Sequence, residues 1–124
     1  MIENIENPVA IALVDWLQPS AGGRTSGPPT APVYAANCTF PLGGERETVP
    51  GWPATAEKFS VFIQKVDDGP DGAWICKIDF IAPDLVAPYL GRGVQMLVME
   101  GPKVVGQATI TDVFEISNAT DPTT

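Results

Sequence analysis

Asp67-Asp68-Gly69-Pro70-Asp71-Gly72 brings three carboxylates within six residues, a donor set suited to a hard cation, which takes oxygen ligands. The spacing of a calcium loop is not there. Counted from Asp67, the third position is Gly69 and the twelfth is Ile78, where such a loop needs a ligand and a bidentate Glu. The segment therefore reads as a solvated hairpin turn rather than a metal site. The chain has no histidine, which removes Ser-His-Asp and Cys-His nucleophiles and every histidine-based metal site. The two cysteines, Cys38 and Cys76, cannot complete a four-thiolate zinc centre, and no Walker-type phosphate loop occurs. No cofactor, metal or nucleotide is expected. Acid pairs for glycoside chemistry must match in space, which spacing along the chain cannot show. A small enzyme of unknown type therefore stays as an alternative, since function resides in sites rather than folds.

What is left suits recognition. Trp52 stands between Pro50-Gly51 and Pro53, in a stretch also broken by Gly43-Gly44. Trp is enriched at binding hot spots, and it serves equally well as a plug over one mouth of a barrel. Arg46 lies in the same stretch and is a further candidate contact. Arg24 follows Gly22-Gly23, and Lys103 follows Gly101-Pro102. Both are candidate partner-binding cations. The alternative is that Arg24 orders its own loop by donating to nearby carbonyls, and that Lys103 is an ordinary solvated hairpin residue. Trp16 and Trp74 sit in strand-like runs and are expected in the core.

The elements that must position these residues follow from composition and pattern. A length of 124 residues suits one domain over 1–124, with one core over about 9–116 and no need for staples. Hydrophobic residues are 44% and charged residues 18%, which excludes a disordered or fibrous chain, and 13 Pro with 12 Gly predict many turns and little helix. An all-β globule is expected. The net charge of −8, from 15 acidic and 7 basic residues, repels a phosphate backbone and favours solubility or a basic partner. The opening Met1-Ile2-Glu3-Asn4-Ile5-Glu6-Asn7 is acidic, and no apolar run approaches the roughly 20 residues that span a bilayer. The expectation is a cytoplasmic protein without leader or anchor, in which Cys38 and Cys76 are reduced core residues. The two acceptor sequons, Asn37-Cys38-Thr39 and Asn118-Ala119-Thr120, are read as chance.

Val9 to Leu17 is apolar on both faces and bracketed by Pro8 and Pro19, which predicts a buried strand. Gln18 to Pro32 turns to Gly, Ser, Thr and Pro, the composition of a long loop. Val33 to Phe40 is the second expected strand, and Pro41 to Lys58 an excursion over the surface. Phe59–Val66 and Trp74–Phe80 flank the carboxylate turn as a hairpin. In the latter, Trp74, Cys76, Ile78 and Phe80 take the core face. Pro83 to Gly93 is a connection. Val94 to Glu100 then turns through Gly101-Pro102 into Lys103 to Thr111, with Val104, Ala108 and Ile110 expected inward and Gly106 at a bend or close backbone contact. Residues 118–124 read as a polar tail. Six strands with Gly-rich corners predict a closed Greek-key barrel, because closure removes exposed edges.

The motifs Gly22-Gly23-Arg24-Thr25 and Glu100-Gly101-Pro102-Lys103-Val104-Val105-Gly106-Gln107-Ala108, with Ile81-Ala82-Pro83 between them, resemble in order and spacing the C-terminal β-barrel domain of elongation factor Tu. The match covers about Val9 to Val113, with 41–58 as an insertion. In that family the first two segments lie near the surface that holds the T-stem of tRNA. Arg24 matches the first family arginine, and Lys103 stands where the second has Arg. The family's Arg-Pro-Gln is Ala31-Pro32-Val33 here, and one Gly of the turn is Pro102, so two polar backbone-contacting types are lost. The expectation is a free-standing barrel that is not an enzyme and engages a protein partner through its acidic surface and the 41–58 insertion. A tRNA or other RNA binder is the alternative from translation.

Overall fold

A computed structural model describes residues 4–41, 47, 50–53 and 56–114. Six strands make the wall: β1 (Ala10–Trp16), β2 (Tyr34–Thr39), β3 (Phe59–Asp68), β4 (Trp74–Phe80), β5 (Gln95–Glu100) and β6 (Lys103–Val113). A single turn of helix, α1 (Pro83–Val86), lies between β4 and β5. The strands close into an antiparallel barrel in the order β1-β4-β3-β2-β5-β6. Within it, β1-β4-β3-β2 is the Greek-key order, three hairpin-linked strands with a fourth brought alongside by a long connection. No helix among the described residues is long and apolar enough to cross a membrane.

Alternation explains the wall. Cys76, Ile78 and Phe80 of β4 are buried, as are Val61 and Ile63 of β3, while Phe62, Gln64, Lys77 and Asp79 face outward and are half-buried. Ala10 and Ala12 of β1 are fully buried and stand opposite Ile78 and Cys76. Small residues beside large ones let side chains fill a narrow barrel. Both cysteines are free and buried, and burial pushes each thiol up to about 12.

Three register shifts, at Ile11/Ala12, Lys65/Asp67 and Val98/Met99, are β-bulges that bend the strands to close the wall. Two of them redirect side chains. Val66 is the extra residue on β3 and is turned out to solvent. On β6 the extra residue is Val105, which is fully buried while Val104 is only half-buried. This corrects the expectation that Val104 faces the core, because strict alternation does not survive a bulge. Gly106, beside that bulge, is a close-contact glycine as expected. A Cβ there would lie 3.0 Å from Trp16 Cε3 and 3.1 Å from the Asp15 carbonyl oxygen.

Candidate functional site

Each mouth of the barrel carries an aromatic cluster, and the two clusters differ in chemistry. At the mouth where β1 ends and β2 begins, a short 3-10 turn (Pro19–Ala21) runs into Gly22, at φ 92°. Gly23 then donates its N–H to the Gln18 carbonyl at 2.9 Å. A Cβ on Gly23 would sit 2.5 Å from the Leu17 carbonyl carbon and 2.9 Å from the Gln18 oxygen, so only glycine lets the chain double back this tightly. The fold-back lays Arg24 over the mouth. Its Nε donates to Glu100 Oε2 at 2.7 Å, its Nη1 donates to the Gly27 carbonyl at 2.6 Å, and the guanidinium lies 5.3 Å from the Tyr34 ring centroid.

Tyr34 donates its hydroxyl to the same Glu100 oxygen. That bond first, and then the Arg24 bond and charge, hold the Glu100 carboxyl below its ordinary value. Burial, followed by the bond to Glu100, raises the Tyr34 hydroxyl. The Glu100 hydrogen bond raises the Arg24 guanidinium. The row continues edge-to-face from Tyr34 to Trp16 at 5.4 Å and from Trp16 to Trp74 at 5.5 Å. It ends with Lys65 at 4.9 Å over the Trp74 ring and 2.7 Å from Asp68. Each such aromatic pair contributes about 0.5–1.5 kcal/mol beyond its buried area. This mouth is a cap with a cation at each end.

The opposite mouth is apolar. Phe40 stacks on Tyr89 at 5.3 Å, and Phe59 lies 5.9 Å from Phe40 and 5.7 Å from Tyr89. The β2–β3 connection leaves from here and returns beside it, tied by Thr39 Oγ1 donating to the Glu57 carbonyl at 2.8 Å. α1 turns its Val86 into the core. Pro83 at the start of the helix fixes its first turn. Ile81 and Leu85 are left outside at 66% and 63% exposure. With Lys58, Phe59, Ser60 and Ala82 they line an open groove of about 210 Å³. Glu57 and Asp84, next in sequence to groove residues, are exposed.

The residues singled out from the sequence do not form one surface. Arg24 and Lys103 share the aromatic mouth, where Lys103 is exposed and stands opposite Glu100 in the β5–β6 ladder. Trp52 belongs to the connection that leaves the other mouth. It is half-buried, and its Nε1 is shielded from solvent with no hydrogen-bond partner among the described residues. Arg46 and most of the 41–58 insertion lie outside the described residues. Arg24 is engaged by Glu100, Gly27 and Tyr34, and of these Gly27 belongs to its own loop. Sequence reasoning missed Ile81 and Leu85. The available signal was their spacing of four on either side of Pro83, in a segment read only as a strand end and a connection. No group of His, Cys, Asp and Glu among the described residues is placed to hold a metal ion. No protein-family model matches the chain, and no curated protein matches it.

Proposed function

We propose that the protein is a non-enzymatic binding module that docks a protein partner at the apolar mouth. The observation that carries this is the pair Ile81 and Leu85, exposed side by side on the rim of a groove with Phe59 in its wall. Large apolar side chains grouped on a rim, rather than scattered, mark interaction surfaces. The net charge of −8 and the exposed Glu57 and Asp84, which outnumber Lys58 of the groove lining, favour as occupant a partner segment with apolar side chains flanked by Lys or Arg. Apolar contact supplies affinity, and charge supplies steering and orientation.

The test is capture of one defined partner from native extract by the immobilised protein, repeated with Ile81→Asp, Leu85→Asp and, at the far mouth, Lys103→Ala. Loss with both groove variants and retention with Lys103→Ala is expected. Equal capture by all four proteins would refute the docking site.

RNA binding is the second reading, and one arrangement favours it: Arg24 and Lys103 meet at a mouth that also holds Tyr34, Trp16 and Trp74, the basic-plus-aromatic chemistry of nucleic-acid sites. Against it, Glu100 sits between the two cations and already accepts from Arg24. With so few phosphates neutralised, little salt-dependent affinity is available. No specific aminoacyl-tRNA binding is expected at near-physiological salt. Submicromolar, salt-sensitive anisotropy changes that Arg24→Ala removes would reverse the order of the two readings. Kinship with the elongation factor Tu barrel is likewise a proposal, carried by the Gly-Gly-Arg and Glu-Gly-Pro-Lys motifs.

A further inference from the structure

The segment before β1 is held in the way a peptide ligand is held. Asn4 to Pro8 belongs to no strand, yet the Ile5 side chain is buried. Ile5 donates its N–H to Gln64 Oε1 at 2.7 Å, and its carbonyl accepts from Lys77 Nζ at 3.1 Å. Lys77 Nζ also lies 3.5 Å from Asn4 Oδ1. Gln64 and Lys77 are directly opposite each other in the β3–β4 register, on the outward face. One cross-strand pair thus reads both main-chain polar groups of a single residue. That recognises main-chain groups whatever the sequence, while the burial of the Ile5 side chain favours an aliphatic residue at that position.

The next outward pair, Phe62 and Asp79, walls a cavity of about 300 Å³ together with Asn4, Ile5, Glu6 and Asn7. Ladder hydrogen bonding resumes only after Pro8, with the Val9 N–H donating to the Ile78 carbonyl at 2.9 Å. Pro8 has no N–H to give a ladder, so it separates the seated residues from β1. The seated trio Ile5-Glu6-Asn7 is preceded in sequence by an identical trio, Ile2-Glu3-Asn4. The chain therefore carries the ligand sequence twice and the seat once.

We propose that the outward face of the β3–β4 hairpin is a docking site for an Ile-Glu-Asn segment, and that a second copy of this chain supplies the segment in trans by exchange. Exchange reuses the contacts already made in cis, so it needs no new complementary surface. The tether gives the cis segment an effective concentration in the millimolar range, so exchange is transient and grows with protein concentration. The seat lies on the barrel wall, involves neither Leu85 nor the 41–58 connection, and does not depend on the groove reading.

Disulfide trapping between full-length chains tests it. The donor carries Asn4→Cys. The acceptor carries Asp79→Cys, on the cavity wall it shares with Asn4, so that Gln64 and Lys77 stay in place, together with Ile2→Glu and Ile5→Glu, which vacate its own seat. The buried Cys38 and Cys76 do not compete. With oxidised glutathione as oxidant, the heterodimer is expected to form at least tenfold faster than when the same donor is mixed with a Gln95→Cys acceptor on β5. Excess acetyl-Ile-Glu-Asn-Ile-Glu-Asn-amide should suppress the trapping at least fivefold. If that acceptor fails to fold by circular dichroism, Asp79→Cys alone replaces it against the same control. Equal rates with the two acceptors, or trapping that the peptide leaves unchanged, would overturn the proposal.

Discussion

Replacing Gly23 by Ala asks whether the fold-back of the chain is what builds the Arg24–Glu100–Tyr34 cap. The added Cβ overlaps main-chain atoms, with the Leu17 carbonyl carbon 2.5 Å away, and backbone cannot swing aside as a side chain can. The loop must therefore lift, and the cost is bounded by the contacts it gives up. The Gly23–Gln18 bond and the Arg24–Gly27 bond are each worth about 1 kcal/mol. The Arg24–Glu100 pair, with side chains 23% and 40% exposed, is discounted for solvent to about 0.5 kcal/mol. The stacking of Arg24 on Tyr34 adds about 0.5 kcal/mol. The sum is about 3 kcal/mol. An unfolding entropy of about 2.1 cal/mol/K per residue gives about 0.26 kcal/mol/K for 124 residues, so the Tm should fall by about 11 °C.

Gly22→Ala is the control. Gly22 has φ 92° with nothing within 4 Å of a Cβ, so the cost is only the left-handed backbone, about 1–2 kcal/mol, or about 4–8 °C. Scanning calorimetry at neutral pH ranks the two. The difference also has a pH signature. The Glu100 carboxyl is held below its ordinary value of 4.5 in the folded state, so its contribution is fully present above that value and is lost as pH falls through the lower folded value. The gap between wild type and Gly23→Ala should therefore narrow on acidification, while the gap to Gly22→Ala should not. If Gly22→Ala proves the more damaging, or the gap to Gly23→Ala ignores pH, the loop does not hold the cap.

Glu100→Gln should lower stability at neutral pH by about 1 kcal/mol, and the difference should shrink as pH falls below the ordinary carboxyl value of 4.5, as read from urea midpoints. Cys38 and Cys76 should resist thiol reagents at neutral pH, because burial pushes both thiols up to about 12. Labelling faster than global unfolding would show that the wall opens locally. Phe40→Ala should cost about 3–5 kcal/mol, since it leaves a cavity between Phe59 and Tyr89. Loss of the near-ultraviolet dichroism of that cluster, measured alongside the thermal midpoint, locates the damage at that mouth.

How much of this was legible beforehand depends on the range of each interaction. Alternation is a property of residues two apart, so β4 reads directly from Trp74, Cys76, Ile78 and Phe80. The absence of histidine and the interrupted carboxylate turn are likewise local facts, and they bear on chemistry without any fold. Six apolar runs separated by Gly and Pro were enough to predict closure, because an open sheet of this length leaves edges exposed. What the sequence alone could not give is long-range. Arg24 and Glu100 are 76 residues apart, and Tyr34 and Glu100 are 66 apart, so only ring closure decides that they meet. The bulge that buries Val105 in place of Val104 arises from register between two strands, not from either strand. Which mouth each loop leaves from follows from strand direction around the barrel. That separates Arg24 and Lys103 from the connection that carries Trp52, and it places Ile81 and Leu85 on an open rim although their residue type would put them inside.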